Sequence, residues 1–346
     1  MKLIKYFILA LFFAFIVFHN PVFAQRDEAQ KQFSQGWQLA QERKYTEAAT
    51  AFEQAIKLRP NIFNGHLNLS WMYLELGRYE DAANTAKRAI ELYPDVAMAY
   101  NNLGFALTQL GKFDEAIPVL QKAIELDSKI KKAHQNLGFA YRSAGRYAEA
   151  AAAYKVLTEV LPEDANGYAS LGSAYAATGQ HKEALEAYKN YARLKPDDVV
   201  ANNLVGTAYA RLGQFADAAV AFGKASSLNP KDFVSLRNLA RMLALLGQHQ
   251  RSLEIFQKIE IEKPNDFETQ FDLGIVYSLA KKFNESVEAY KRAVNLRQDD
   301  VAARMGLAAS YLAIGNREAA LKEYEILKEL DAVAAEELLK RINKPQ

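Results

Sequence analysis

The chain repeats itself every 34 residues. Pro60, Pro94, Pro162, Pro196, Pro230 and Pro264 are separated by multiples of that interval, with Ser128 and Gln298 at the two places where proline is missing. Gly77, Gly111, Gly145, Gly179, Gly213, Gly247 and Gly315 keep the same step, as do Gly104, Gly138, Gly172, Gly206 and Gly274. Alanines at 48, 82, 116, 150, 184, 218 and 320 form a third series, and Asp164, Asp198, Asp232, Asp266 and Asp300 a fourth. Four series in one register mark a repeat architecture, in which each unit buries its apolar side on its neighbours. Length therefore says nothing about domain count here.

Each series has a physical reason. Within one unit Tyr100, Leu103, Gly104 and Leu107, then Ala116, Leu120 and Ala123, recur at spacings of three and four on two successive segments, which predicts two amphipathic helices. Gly111 and its equivalents fall where the first helix ends, a place for a left-handed residue. Asp81, Glu115, Glu149 and Glu183 lie in the first turn of the second helix, where the helix dipole favours them. The prolines cannot continue that second helix, and the aspartates that follow supply an N-cap for the next unit. Small residues at 104 and 116 let the paired helices approach closely.

These units resemble the tetratricopeptide repeat, as in Leu137, Gly138, Tyr141, Gly145, Ala150, Tyr154 and Pro162. The resemblance implies an all-α, right-handed superhelix. Counting by 34 gives nine repeats over residues 29–334, followed by a C-terminal capping helix and tail over 335–346, with Leu338, Leu339 and Ile342 as its apolar face. The first repeat departs from the pattern with Gln35 and Arg43, and the later ones with Ala240, Ala308 and Arg317, as terminal repeats are free to do.

Residues 1–24 have the form of an export signal: Lys2 and Lys5, a 13-residue apolar run from Tyr6 to Phe18, and small residues at Val22 and Ala24. The expected product is a periplasmic or secreted chain beginning after Ala24, with no membrane insertion once the signal is removed. Left uncleaved, the run would act as a tether instead, although it is shorter than the roughly 18 to 20 residues of a full span. Of 43 basic residues, the leader takes two, leaving 41 against 41 acidic ones. A neutral chain lacks the electrostatic attraction that nucleic acid or an anionic membrane requires. The absence of cysteine excludes disulfides, thiolate metal sites and a cysteine nucleophile.

Catalysis needs groups from several elements to converge, whereas a solenoid spreads equivalent positions along an axis. His66 and His134 occupy the same repeat position two units apart, as do His181 and His249, so each pair is expected on the order of 20 Å apart or more. These histidines are read as structural, and no metal or cofactor is expected. Thirteen of the 18 tyrosines fall on the three repeat positions of Tyr141, Tyr147 and Tyr154, which assigns them to the core. No phosphate-cradling glycine loop, zinc-protease helix or nucleophile elbow is present, so no enzymatic activity is expected.

With each repeat numbered from its first residue, positions 4, 7, 8 and 11 of the first helix form the core stripe. The opposite face then holds positions 2, 6, 9 and 13. Position 9 reads Trp37, Trp71, Phe105 and Phe139 in repeats 1 to 4, then Ser173, Thr207, Arg241, Ile275 and Ala309. Position 6 reads Asn68, Asn102 and Asn136 beside the aromatic residues, with Asn238 and Asp272 further on. Rings outside the core stripe are expected to bury a partner, and an asparagine amide can pair with both the N–H and C=O of an extended peptide. With Lys132, these side chains make a candidate groove for a protein or extended peptide. The alternative is that the rings only pack against the neighbouring first helix.

The family's clamp for chaperone tails implies Lys, Asn, Asn, Lys and Arg where this chain has Leu67, Trp71, Asn102, Lys132 and Asn136, so only two of its five positions agree. The expected function is an exported scaffold or adaptor in a cell-envelope complex; a carrier or holdase-like chaperone for exported clients is the alternative. Trp71→Ala with Asn102→Ala is expected to weaken capture of a partner without loss of helicity.

Overall fold

The computed structural model describes residues 21–62 and 64–344, and for 21–24 the backbone alone. The stretch read as an export signal lies outside the described residues apart from Pro21 to Ala24, whose backbone opens the first helix. All regular structure among the described residues is helical. The chain divides into two units after Thr178.

The first unit contains four helical hairpins and the leading helix of a fifth. These are α1 (Pro21–Gln41) with α2 (Tyr45–Leu58), α3 (Gly65–Glu75) with α4 (Tyr79–Leu92), α5 (Ala97–Gln109) with α6 (Phe113–Leu126), α7 (Lys131–Ser143) with α8 (Tyr147–Val160), and α9 (Ala165–Ala177). The second unit begins with α10 (His181–Leu194) and continues through α11 (Val199–Arg211), α12 (Phe215–Leu228), α13 (Phe233–Leu245), α14 (His249–Glu262), α15 (Phe267–Leu279), α16 (Phe283–Leu296), α17 (Val301–Ala313) and α18 (Arg317–Leu330). A last helix, α19 (Ala332–Ile342), buries Ala335, Leu338 and Ile342 against the final hairpin, the capping role that its apolar spacing predicts. In each unit a first helix packs on the second helix of its own repeat, and that helix packs on the first helix of the next.

The turn inside each hairpin is set by backbone conformation. Gly111 has φ +74°, its N–H donates to Thr108 O, and the Lys112 N–H reaches back to Leu107 O, which satisfies carbonyls the helix end would leave bare. Six other glycines share this positive φ, whereas Arg43 (φ 59°) and Lys281 (φ 57°) adopt it with a side chain.

Between paired helices the small residue at position 8 is locked by the large one at position 24. A Cβ on Gly104 would lie 2.4 Å from Leu120 Cγ, and one on Gly138 would lie 2.4 Å from the Tyr154 ring; Gly206 meets Phe222 and Gly274 meets Tyr290 in the same way. The second repeat keeps the complementarity in smaller form, with Ser70 and Ala86 both fully buried. Burial of each large side chain stabilises its hairpin by about 2 kcal/mol.

Four of the five expected aspartate caps form. Asp198, Asp232, Asp266 and Asp300 accept hydrogen bonds from first-turn N–H groups, and Asp331 does the same for α19. Asp164 makes no cap: its carboxylate turns to Lys131 Nζ at 2.9 Å and Gln135 Nε2 at 3.0 Å on α7. Position 4 contributes a clasp of its own. His66 Nε2 donates to Pro60 O (3.0 Å), His134 Nε2 to Ser128 O (2.8 Å), and Arg304 Nε to Gln298 O (2.7 Å). The histidines thus tie the start of a first helix to the preceding loop, and burial holds the His66 imidazole below its usual pKa.

Candidate functional site

The first helices α1, α3, α5 and α7 border a recess of about 700 Å³ in the first unit. Seven of the eight residues expected in the groove line it: Trp37, Asn68, Trp71, Asn102, Phe105, Lys132 and Asn136. Phe139 does not; its ring centroid lies 6.5 Å from that of Phe105, and Arg142 covers it at 5.2 Å. The Trp37 and Trp71 centroids are 6.1 Å apart, so the rings pack on one another and also face the recess. Trp37 is 44% exposed, and Trp71 is half-buried with its indole N–H donating to Glu75 Oε1 at 2.9 Å.

The asparagines divide by what their amides already hold. Asn102 is buried, and its amide nitrogen donates to Ser70 Oγ at 2.9 Å and to Leu67 O at 3.4 Å, while its oxygen accepts from Asn101. Asn136 donates in turn to Asn101 Oδ1 at 2.8 Å. A chain of amides therefore crosses α7, α5 and α3 and fixes the spacing of the three helices. Asn102 is part of this frame, so its removal disturbs the fold as well as any partner, contrary to the expectation for the Trp71 and Asn102 double variant. Asn68 is different: its half-buried side chain makes no hydrogen bond among the described residues, and Lys132 makes no ion pair among them. Its neighbour Lys131 is the one held by Asp164.

Sequence reasoning missed Met98, Glu75, Asn101, Gln135 and Tyr79 at the rim. Met98 and Glu75 occupy positions 2 and 13, on the face already identified. Asn101 and Gln135 share position 5, beside that face, and Tyr79 comes from a second helix. Among the described residues no group of three or more His, Asp or Glu side chains is placed to hold a metal ion.

Sequence profiles of the tetratricopeptide repeat match the chain without a break from residue 33 to 335. One covers 33–89, 67–129 and 271–335; others cover 107–175, 232–299, 165–198 and 199–232. The chain belongs to the tetratricopeptide repeat family. Tetratricopeptide repeats bind protein or peptide partners, which is the chemistry that a recess of rings and amides supports. No curated protein matches the chain. Among solved structures, MamA is 28% identical over 46% of this chain and 94% of its own, with a TM-score of 0.44. PilW, a type IV pilus biogenesis factor, is 20% identical over 62% of this chain and 98% of its own, with a TM-score of 0.52. YrrB, a tetratricopeptide repeat protein with an unusual peptide-binding site, is 21% identical over 54% and 97%, with a TM-score of 0.47. These likenesses concern the fold. No described helix is long and apolar enough to cross a membrane.

Proposed function

We propose that this chain is an exported scaffold that holds an extended stretch of a partner protein against Trp37, Trp71 and Phe105, within a complex of the cell envelope. One observation carries the reading: the two tryptophans face a recess that also presents an amide, Asn68, and an ammonium, Lys132, with no partner of their own among the described residues. Aromatic rings give contact area at low entropic cost, and an unspent amide can bond a peptide backbone in both senses. Export rests on the leader ending at Ala24 and is tested by N-terminal sequencing of chain recovered outside the cytoplasm, which is expected to begin at Gln25.

The chain has two tryptophans, Trp37 and Trp71, and both line the recess, so intrinsic emission reports its occupancy directly. Selection of extended peptides from a displayed library is expected to yield ligands that change this emission. Trp71→Ala with Asn68→Ala should weaken them by about 2 kcal/mol, roughly thirtyfold, while far-ultraviolet dichroism is unchanged. A set of related sequences fits a scaffold with one partner, and many unrelated sequences fit a holdase. Ligands indifferent to the double variant would place binding elsewhere and defeat the proposal.

A further inference from the structure

The recess has a charge pattern that its packing does not explain. Its lining includes one acidic side chain, Glu75, and one basic one, Lys132. Charges nearby on the same unit are neutralised locally: Arg78 pairs with Asp81, Arg88 with Glu91, Lys122 with Glu125, and Lys131 with Asp164. Glu75 and Lys132 form no ion pair among the described residues. The contact Glu75 does make, with the Trp71 indole N–H, positions the carboxylate without cancelling its charge.

Both charges also sit at the wrong helix ends. Glu75 is the last residue of α3, where the dipole is negative, and Lys132 is the second residue of α7, where it is positive. Each opposes its own helix, and each adds to the potential that the helix end already projects. The recess is thus negative at one corner and positive at the diagonally opposite one, with α5 and the Phe105 ring between them. Eleven repeat positions along the helix direction and two helix widths across it separate the two Cα atoms. The flexible side chains reach inward, leaving a gap on the order of 20 Å between the charges. An extended chain covers that distance in about six residues.

Resting on the peptide reading above, we infer that the recess selects a segment of about six residues with a basic side chain at one end, an acidic one at the other, and an aromatic or aliphatic residue between them. The basic group meets Glu75, the acidic group meets Lys132, the apolar residue lies on Trp71 and Phe105, and Asn68 bonds the backbone.

Four synthetic hexapeptides, capped at both termini to remove end charges, test this on the full chain through tryptophan emission at low salt. They share one apolar centre and carry mixed, doubly basic, doubly acidic or no charges. The mixed peptide should bind about tenfold more tightly than either like-charged one, and the advantage should shrink at about 0.5 M salt. Glu75→Lys should move the preference to the doubly acidic peptide, and Lys132→Glu to the doubly basic one. Equal binding of all four, with the ranking unmoved by either variant, overturns the charge assignment while the peptide reading stands. If no peptide perturbs the emission, or if a neutral oligosaccharide does so where the peptides fail, the peptide reading falls and the charge assignment with it.

Discussion

Positions 6 and 9 of the first helix are used in opposite ways in the two units. In the first unit, position 6 carries neutral amides in α3, α5 and α7, and position 9 aromatic rings in α1, α3, α5 and α7. Asn102 and Asn136 join a hydrogen-bonded chain through Asn101, while Trp37, Trp71, Phe105 and Asn68 face the recess. In the second unit, Asp272 at position 6 of α15 receives Arg241 from position 9 of α13 through two bonds of 3.0 and 2.9 Å, and Arg237 stands 3.9 Å away. At this point the face pairs with itself: Arg241 and Asp272 satisfy one another, while the Arg237 Nε is buried with no hydrogen bond among the described residues. The same hairpin, with the same glycine turns and the same small-to-large lock, thus supports an open face in one unit and a self-paired face in the other. What differs is whether the polar groups at two positions can complete their bonding within the protein.

The largest effect expected from this contrast is a pH dependence centred on Asp272 in the second unit. Burial pushes the Asp272 carboxyl up to about 6 from its ordinary 3.8, against the pull of Arg241 and Arg237. Between those values the folded chain holds a proton that the unfolded chain has lost. The stabilisation is therefore complete below about pH 4 and is lost as pH rises through 6, by about 3 kcal/mol. Urea unfolding of the native chain relative to Asp272→Asn should show that decline, and the Asp272 carboxyl carbon should titrate near 6; a midpoint near 4 would remove the contrast. Next in size is Asn102→Ala against Asn238→Ala, two changes at the same repeat position. The first takes from the buried Asn101 Nδ2 its acceptor and from Ser70 Oγ the donor it accepts from, and should cost about 2 kcal/mol, whereas the second removes an amide with no hydrogen bond among the described residues and should stay within about 0.5 kcal/mol. Equal losses would mean that the amide chain is not what distinguishes the open face. The smallest effect tests what the units share. Arg43→Gly in the first and Lys281→Gly in the second should each stabilise by about 1 kcal/mol, because both residues occupy left-handed backbone. Thermal melts that rise for one and not the other would show that the two hairpin turns are not equivalent.

The hairpin geometry was legible because backbone chemistry imposes it. Glycine where φ must be positive, aspartate before a first turn, and a small residue opposite a ring each follow from local sterics and bonding, so their spacing in the sequence carries the structure. The failure at Asp164 has a tertiary cause: Lys131 and Gln135 on the preceding first helix draw its carboxylate from the helix it precedes. For the recess, the aromatic residues at position 9 were visible as a departure from the core stripe. The role of Asn102 was not, because it depends on Asn101 and Ser70, residues at positions 5 and 8 that periodicity treats as flank and core. Glu75 lay on the correct face and went unremarked because a single carboxylate at a helix end has no meaning until its neighbours are seen to be uncharged.

The lock between a bare glycine and the ring or leucine facing it joins two helices of one hairpin. The fit is therefore inherited with the segment that encodes it. A genetic crossover that inserts or drops one whole repeat carries glycine and ring together, and each surviving hairpin keeps its own match. Such a gene can gain or lose hairpins by unequal recombination without a compensating mutation in these pairs, leaving selection free to act on the residues that face outward from the first helices.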